Sequence, residues 1–217
     1  MREHFAIFDM DGTLVDSMPF WDRVCGELLE QMDIETPVEE LMDTLKPMTI
    51  AQTAEYLNAR YHKTLSVREL SDGMCSVMLT HYQTDVPLKD GVVPFLDALQ
   101  KSGVRMCVAS SSPTRLIEAC LNRLGLAGYF ECMLSAETVG KGKTEPDIFL
   151  AAADAFGAEP ADVVVFDDAL TAGRTAQKAG FRVAAVYDEG GHAEWETFRR
   201  EADYAVTDWD HALQALD

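Results

Sequence analysis

The chain has 217 residues, 47% of them hydrophobic and 25% charged, and its net charge at pH 7 is -19. These proportions are those of an ordinary globular protein, long enough for one large domain or for a core with an inserted module. The acidic excess disfavours nucleic acid and anionic membrane surfaces as partners, because phosphate groups must be met by lysine and arginine. A small anionic substrate remains compatible where positive charge is gathered locally.

The spacing of the cysteines and the length of the apolar runs indicate where in the cell the protein resides. The five cysteines form no Cys-x-x-Cys pair and no zinc-type cluster with histidine, which predicts reduced, buried thiols. They are Cys25, Cys75, Cys107, Cys120 and Cys132. No apolar run approaches the roughly 18 residues that cross a bilayer, and the N-terminus enters a strand without room for a signal peptide. We therefore expect a soluble cytoplasmic protein and, by default, a monomer.

The first predicted element is a short strand, residues 4–8, that ends in two aspartates and a glycine. Asp9 and Asp11 follow this strand, and Gly12 and Thr13 turn the chain away. The carboxyl edge of a parallel sheet is where ligands bind, and two close carboxylates are commonly relieved by a divalent cation. An acidic turn explains the same residues. This motif alone leaves both interpretations open.

Helical segments come next, and no strand pattern lies among them. Apolar residues at three- and four-residue spacing predict helices over 18–32, 38–45, 49–61 and 67–81. A helical block between the first strand and the later ones predicts an inserted subdomain. Its linkers are expected at residues 13–17 and 84–91.

After residue 90 the pattern changes to strands that alternate with helices. The predicted strands are 104–109, 131–135, 163–166, 182–187 and 202–206, and the predicted helices are 113–124, 146–156, 170–179 and 209–216. This alternation is typical of βαβ units and a parallel sheet. We predict an α/β fold with a Rossmann-like core, residues 1–15 and 89–217, and an inserted α-helical cap, residues 16–88.

Polar residues recur at the later strand ends and in one loop. Ser110 and Ser111 precede a helix, where hydroxyl and N–H groups bind anions or simply cap the helix. Lys143 offers a charge for phosphate or is a solvated loop residue. Asp167 and Asp168 repeat the acidic pair of the first strand. Each of these residues is weak evidence by itself. Because all of them are predicted to lie at the carboxyl edge of the sheet, together they favour one site.

Together, these carboxylate, hydroxyl and ammonium groups are of the types that bind Mg²⁺ and a phosphate ester. The carboxylates offer the hard oxygen ligands that Mg²⁺ prefers. The hydroxyl and ammonium groups neutralise phosphate oxygens, and one aspartate is left to attack phosphorus. The sequence therefore predicts phosphoryl-transfer chemistry at this edge of the sheet.

The order and spacing of these motifs resemble the haloacid dehalogenase superfamily over essentially the whole chain. The resemblance is closest to the helical-cap branch, which contains β-phosphoglucomutase and many small-metabolite phosphatases, and it is strongest in the segment 8–14. It implies that Asp9 is the nucleophile and Asp11 the general acid/base. The implied phosphate-binding residues are Ser110, Ser111 and Lys143. The implied Mg²⁺ ligands are Asp9, the Asp11 carbonyl and Asp168, with Asp167 nearby.

The sequence departs from the family pattern at several positions, and two of these departures bear on the choice between a phosphatase and a mutase. Ala169 and Ala172 stand where serine and glycine are common, so the local turn is expected to differ. Trp21 aligns with a histidine of β-phosphoglucomutase, and the loop around Met48 lacks the arginine with which the mutase holds a second phosphate. Phe20, Trp21 and Met48 indicate either a more apolar cap surface or, the interpretation we favour, core residues of the cap.

We predict a Mg²⁺-dependent phosphatase for small phosphorylated metabolites, sugar phosphates among them, that works through an aspartyl-phosphate. A β-phosphoglucomutase-like phosphomutase and a non-catalytic binding protein of the same fold are the alternatives. A dehalogenase is disfavoured by Asp11, because a leaving alcohol needs a proton and a halide does not.

Overall fold

The computed structural model describes residues 4–32, 34, 41, 44–45, 48 and 50–215. The chain divides into two compact units, which we call the core unit and the helical unit. The core unit is Met1–Met18 with Val86–Asp217, and the helical unit is Pro19–Asp85. The predicted helix over 38–45 lies mostly outside the described residues.

The core unit is built on a six-stranded sheet in the order β3-β2-β1-β4-β5-β6. The strands are β1 Phe5–Phe8, β2 Arg105–Ser110, β3 Cys132–Ser135, β4 Val163–Asp167, β5 Arg182–Val186 and β6 Tyr204–Val206. Every neighbouring pair is parallel, so all carboxyl ends meet at one edge. The predicted α/β fold class is confirmed.

Ten α-helices are labelled here in chain order. In the segment between β1 and β2 they are α1 Met18–Gln31, α2 Ile50–Tyr61, α3 Val67–Thr84 and α4 Val92–Lys101. The later ones are α5 Thr114–Arg123, α6 Ala136–Val139, α7 Asp147–Phe156, α8 Leu170–Lys178, α9 His192–Glu201 and α10 Ala212–Ala215. The sequence pattern does not predict α4, α6 or α9. Among the described helices, none is long and apolar enough to cross a membrane.

An aromatic cluster packs under the middle of the sheet. Phe8 on β1 stacks on Phe166 of β4 with ring centroids 4.6 Å apart. Phe95 of α4 meets both rings edge-on, and Trp209 covers them from the C-terminal segment. Burial of four large rings stabilises the two central strands by several kcal/mol, on the order of 1.5–3 kcal/mol per buried side chain. The strand ends that carry the acidic motifs therefore rest on a rigid base.

The two linkers of the core unit run side by side. Val15 and Leu88 form an antiparallel bridge, the Asp16 N–H donates to the Pro87 carbonyl at 3.0 Å, and the Lys89 N–H donates to the Leu14 carbonyl at 3.0 Å. The outgoing and returning chains thus leave and enter the core as a short paired ribbon.

The prediction of reduced thiols is wrong for two of the five cysteines. The register of β2 and β3 sets Cys107 opposite Cys132, with Cα atoms 4.9 Å apart, and the two sulfurs form a disulfide. The other three cysteines are thiols. The sequence could not reveal the pair, because residues 25 positions apart become neighbours only through strand pairing.

Within the helical unit, one histidine ties α1 to the end of α3. His81 Nε2 lies 2.7 Å from Glu27 Oε2, and its Nδ1 lies 3.0 Å from Asp85 Oδ1. Partial burial by itself lowers the pKa of His81, but the hydrogen bonds to Glu27 and Asp85 outweigh it and raise this pKa above its usual value. The folded state therefore favours protonated His81.

The stabilisation by His81 is expected to be pH-dependent. It is fully present below the unfolded-state pKa of about 6.5 and is lost as the pH rises through the higher folded-state pKa. His81→Gln should cost about 0.5–1 kcal/mol at pH 5.5 and much less at pH 9, as measured by thermal unfolding at both pH values. His211→Gln, at an exposed histidine paired with Asp208, serves as the control. An equal loss of stability at both pH values in the His81 variant would contradict the prediction.

Candidate active site

Two aspartates emerge side by side where the central strands end. Phe8 and Phe166 are register partners on β1 and β4, and an aspartate follows each of them. The Asp9 N–H donates to the Phe166 carbonyl at 2.9 Å, which extends the strand pairing by one residue. Because successive side chains alternate between faces, Asp9 and Asp167 turn away from the stacked rings together. Both side chains are buried.

Lys143, in the loop before α7, joins these two carboxylates. Its Nζ donates to Asp9 Oδ1 at 2.5 Å and to Asp167 Oδ2 at 2.8 Å, and its side chain is 10% exposed. Burial alone would lower the pKa of this ammonium, but the charges of Asp167 and Asp9 outweigh it and raise the pKa. Lys143 is therefore charged at neutral pH. The structure therefore brings this loop lysine, predicted to bind phosphate, together with two of the predicted site carboxylates.

Asp168 completes the acidic cluster. Carboxylate oxygens of Asp9, Asp167 and Asp168 lie within 4.8 Å of one another. Burial, and then the charge of Asp167, raise the pKa of Asp168 to about 7, against the opposing hydrogen bond that Thr13 Oγ1 donates at 2.9 Å. Burial is also the main cause that raises the pKa of Asp9. When ionised, the three carboxylates outnumber the Lys143 ammonium, and a bound cation would relieve this excess of negative charge and favour the ionised forms.

The turn after β1 fits tightly against this cluster. Gly12 has φ +80°, and a Cβ atom at this position would lie 2.6 Å from Asp168 Oδ2. Both the left-handed backbone and the missing side chain are needed for the turn to pass the carboxylate. The glycine of the first motif therefore has a steric function in the site.

The Asp11 carboxylate is held separately, by two hydroxyl groups. Ser17 Oγ donates to Asp11 Oδ1 and Ser112 Oγ donates to Asp11 Oδ2, both at 2.7 Å. Neither serine was a predicted site residue. Ser112 directly follows the predicted phosphate-binding residues Ser110 and Ser111, which is a usable signal, whereas nothing in the sequence marks Ser17.

The predicted phosphate-binding serines differ in their environment. Ser110 is buried at the end of β2, and its Oγ accepts a hydrogen bond from the Ser112 N–H at 3.0 Å. Its hydroxyl proton is still able to donate. Ser111 is exposed. Ser135 Oγ, at the end of β3, donates to the Ser112 carbonyl at 2.8 Å and so fixes the turn that carries these groups.

Comparison with known proteins identifies the family. A family model described as haloacid dehalogenase-like hydrolase matches residues 5–180. The chain belongs to this family. It is 33% identical to the fructose-1-phosphate phosphatase YqaB of Escherichia coli K12 over 83% of this chain and 95% of that protein. It is 30% identical to hexitol phosphatase B of the same strain over 80% of this chain and 78% of that protein.

A solved structure shows the same fold. The haloacid dehalogenase-like chain resembles CbbY of Rhodobacter sphaeroides, crystallised with phosphate, with a TM-score of 0.71 over 96% of this chain and 95% of that chain, at 20% identity. Together, the family and its phosphatase members confirm the predicted enzyme class, a phosphoric monoester hydrolase of the haloacid dehalogenase type.

Two departures from the family pattern are accommodated locally. The Ala169 N–H donates to Asp167 Oδ1 at 2.9 Å, so a backbone group contacts the first aspartate of the pair although the frequent serine is missing. Ala172 is buried in the hydrophobic core of the sheet.

The three residues interpreted as cap core are only partly buried in the helical unit. Phe20 lies between two polar side chains, with the Arg23 guanidinium 4.9 Å from its ring centroid and the His81 ring 5.0 Å away. Trp21 and Met48 line a cavity of about 190 Å³ within the same unit, and Trp21 Nε1 donates to the Tyr82 hydroxyl at 3.2 Å. These residues therefore pack at the edge of the helical unit and not in its fully buried interior.

Proposed function

We propose that the chain is a Mg²⁺-dependent phosphatase that hydrolyses small phosphorylated metabolites, sugar phosphates among them, through an aspartyl-phosphate on Asp9. The observation that carries the proposal is the cluster at the ends of β1 and β4. There Lys143 bridges two buried carboxylates, and a third carboxylate, Asp168, completes the group. This arrangement combines a nucleophile, a cation site and a fixed positive charge.

The donor set of the cluster fits Mg²⁺. Carboxylate oxygens are its preferred protein ligands, and a buried group of them is relieved by a divalent charge. Asp167 has both oxygens engaged, by Lys143 and by the Ala169 N–H. Among the described residues, no hydrogen-bond donor contacts Asp9 Oδ2 or Asp168 Oδ2. We therefore assign Asp9 and Asp168 as carboxylate ligands, with the Asp11 carbonyl, and Asp167 as the partner of Lys143.

Phosphate recognition is assigned to three residues. The charged Lys143 attracts the phosphoryl oxygens, and the Ser110 hydroxyl and the exposed Ser111 offer hydrogen-bond donors at the end of β2. When bound, Mg²⁺ supplies further neutralisation of charge on the transferring group. Phosphoryl transfer depends mainly on such positioning and neutralisation, which rigid strand ends provide.

The reaction is proposed to run in two displacements. An Asp9 carboxylate oxygen attacks phosphorus, the bond from phosphorus to the ester oxygen breaks, and Asp11 gives its proton to the departing alkoxide. Asp11 then takes a proton from water, whose oxygen attacks the aspartyl-phosphate. The bond from phosphorus to the Asp9 oxygen breaks, which releases inorganic phosphate and regenerates the carboxylate. Ser17 and Ser112 hold the Asp11 side chain for both transfers.

The helical unit is assigned as the cap that selects the substrate. It is inserted in the chain directly after the Asp11 turn, between two paired linkers. A mutase must grip a second phosphate, and Trp21 stands where the resembled mutase carries histidine. We therefore favour hydrolysis over phosphate migration.

A monoester panel tests the proposal. Purified protein should release inorganic phosphate from at least some hexose and hexitol phosphates with Mg²⁺, and lose this activity with excess chelator until Mg²⁺ is restored. Fructose 1-phosphate and hexitol phosphates, after the names of the two relatives, belong in the panel. Conversion of sugar 1-phosphate to 6-phosphate without phosphate release would establish a phosphomutase instead. Binding without turnover of any ester would establish a non-catalytic protein.

A further inference from the structure

A second buried ion pair lies in the core unit, outside the acidic cluster. Lys89, in the returning linker, places Nζ 2.7 Å from Asp188 Oδ1 and 3.1 Å from the Tyr187 carbonyl. Asp188 Oδ2 accepts the Gly190 N–H at 2.9 Å. The side chains of Lys89 and Asp188 are 16% and 4% exposed. A buried pair with both carboxylate oxygens engaged holds two segments of chain in a fixed arrangement.

Each partner of this pair is linked to one of the loops that carry the acidic motifs. The Lys89 N–H donates to the Leu14 carbonyl, in the turn that follows Asp11. Asp188 follows β5, the neighbour of β4, and its loop lies against Asp168: a Cβ atom on Gly191 would lie 3.6 Å from the Asp168 carbonyl and 3.8 Å from the Asp188 carbonyl.

We propose that Lys89 and Asp188 balance each other's effect on the electrostatic potential at the metal-binding carboxylates, so that neither charge can be lost alone without changing that potential. The Asp188 charge strengthens the attraction of the cluster for a divalent cation. Lys89 offsets that charge, so that the cluster does not repel the phosphate group of the substrate. Inside a protein, one uncompensated unit charge near a binding site is enough to change the affinity for an ion by about tenfold. The inference rests on the proposed function, because it concerns the same metal and the same phosphate.

The proposal predicts opposite effects of the two single substitutions. Asp188→Asn leaves Lys89 uncompensated, so Mg²⁺ should bind about tenfold more weakly and inorganic phosphate more tightly. Lys89→Met leaves Asp188 uncompensated, so Mg²⁺ should bind up to about tenfold more tightly and inorganic phosphate more weakly. Calorimetric titration of the full-length protein measures both affinities without turnover, with phosphate titrated at saturating Mg²⁺. A variant that is merely damaged would lose both affinities together.

Three further variants complete the experiment. Lys89→Arg keeps the charge and should leave the Mg²⁺ affinity within about twofold of wild type, as should the neutral double variant Lys89→Met/Asp188→Asn. Asp203→Asn is the matched control. Asp203 pairs with Arg182 at 3.2 Å and accepts the Val183 N–H at the opposite end of β5. The same change of charge there should leave both affinities unchanged. If Lys89→Met fails to fold, the double variant and Asp188→Asn still decide the question.

The outcomes separate this inference from the proposed function. The inference is wrong if both single variants keep the wild-type affinities, or if both bind Mg²⁺ and phosphate more weakly. Neither result bears on whether the wild type is a phosphatase. Wild-type protein that binds no Mg²⁺ would overturn the inference together with the metal requirement. Wild-type protein that binds Mg²⁺ but hydrolyses no ester would refute the proposed function, whereas opposite shifts in the variants would still support the electrostatic effect.

Discussion

Replacement of Asp9 by asparagine is expected to lower kcat on the order of 10⁴-fold or more. The amide nitrogen and oxygen of asparagine cannot attack phosphorus as a carboxylate does, and one metal ligand is weakened. Phosphate release from the best substrate of the panel measures the effect. Asp16→Asn, the same change at an exposed position in the outgoing linker, should retain nearly full activity. Substantial turnover by Asp9→Asn would show that another group is the nucleophile.

The same variant should not be less stable than the wild type. Asp9 is buried beside Asp167 and Asp168, and burial and these neighbours raise its pKa. The folded state therefore disfavours the ionised form, and a neutral isostere removes part of the repulsion. In the absence of divalent cation, we expect the Tm of Asp9→Asn to equal or exceed that of wild type. Added Mg²⁺ should raise the wild-type Tm more than that of the variant. If Asp9→Asn is folded, gains little Tm from Mg²⁺ and releases no phosphate, its loss of activity comes from the missing carboxylate and not from unfolding.

Asp11→Asn is expected to lower kcat for alkyl phosphates by about 10²–10⁴-fold, because asparagine can neither protonate the alkoxide nor deprotonate water. The size of the loss should depend on the leaving group. An aryl phosphate with an acidic phenol needs little help in the first displacement, but the hydrolysis of the aspartyl-phosphate still requires a base. The variant should therefore release a burst of phenol and then stall.

Rapid-mixing kinetics and mass spectrometry check this prediction. We expect a burst approaching one equivalent of phenol per protein and a trapped protein heavier by one phosphoryl group. A uniform loss for aryl and alkyl esters, without a burst, would assign Asp11 to binding rather than proton transfer. Ser112→Ala, which removes one of the two hydroxyl donors to Asp11, should weaken the same step without abolishing it.

Much of the acidic cluster was predictable because it depends on strand ends. Parallel strands bring their carboxyl termini to one edge, so the location of a polar residue directly after a buried strand follows from the sheet topology alone. Asp9 and Asp167 illustrate this, since Phe8 and Phe166 are register partners. The position of Lys143 was less certain, because a loop lysine reaches its partners only through the particular course of the loop.

The sequence pattern does not predict contacts that depend on strand register or on the course of a loop. It also does not predict helices whose apolar periodicity is weak. The Cys107–Cys132 pair follows from the alignment of β2 with β3. Ser17 reaches Asp11 because the chain turns back on itself at Gly12. The pairing of Lys89 with Asp188 joins residues nearly a hundred positions apart. A single sequence contains no local signal for contacts of this kind.

The paired linkers have a consequence for how such an enzyme can change. Because the outgoing and returning chains are bridged at Val15 and Leu88, the segment from Pro19 to Asp85 leaves and re-enters the core unit at neighbouring points of the chain. Its length and composition can be altered, or the segment exchanged for another, without rearranging a strand of the sheet. Recombination within one continuous stretch of gene can therefore exchange this segment, while the strand ends followed by Asp9 and Asp167 are inherited unchanged.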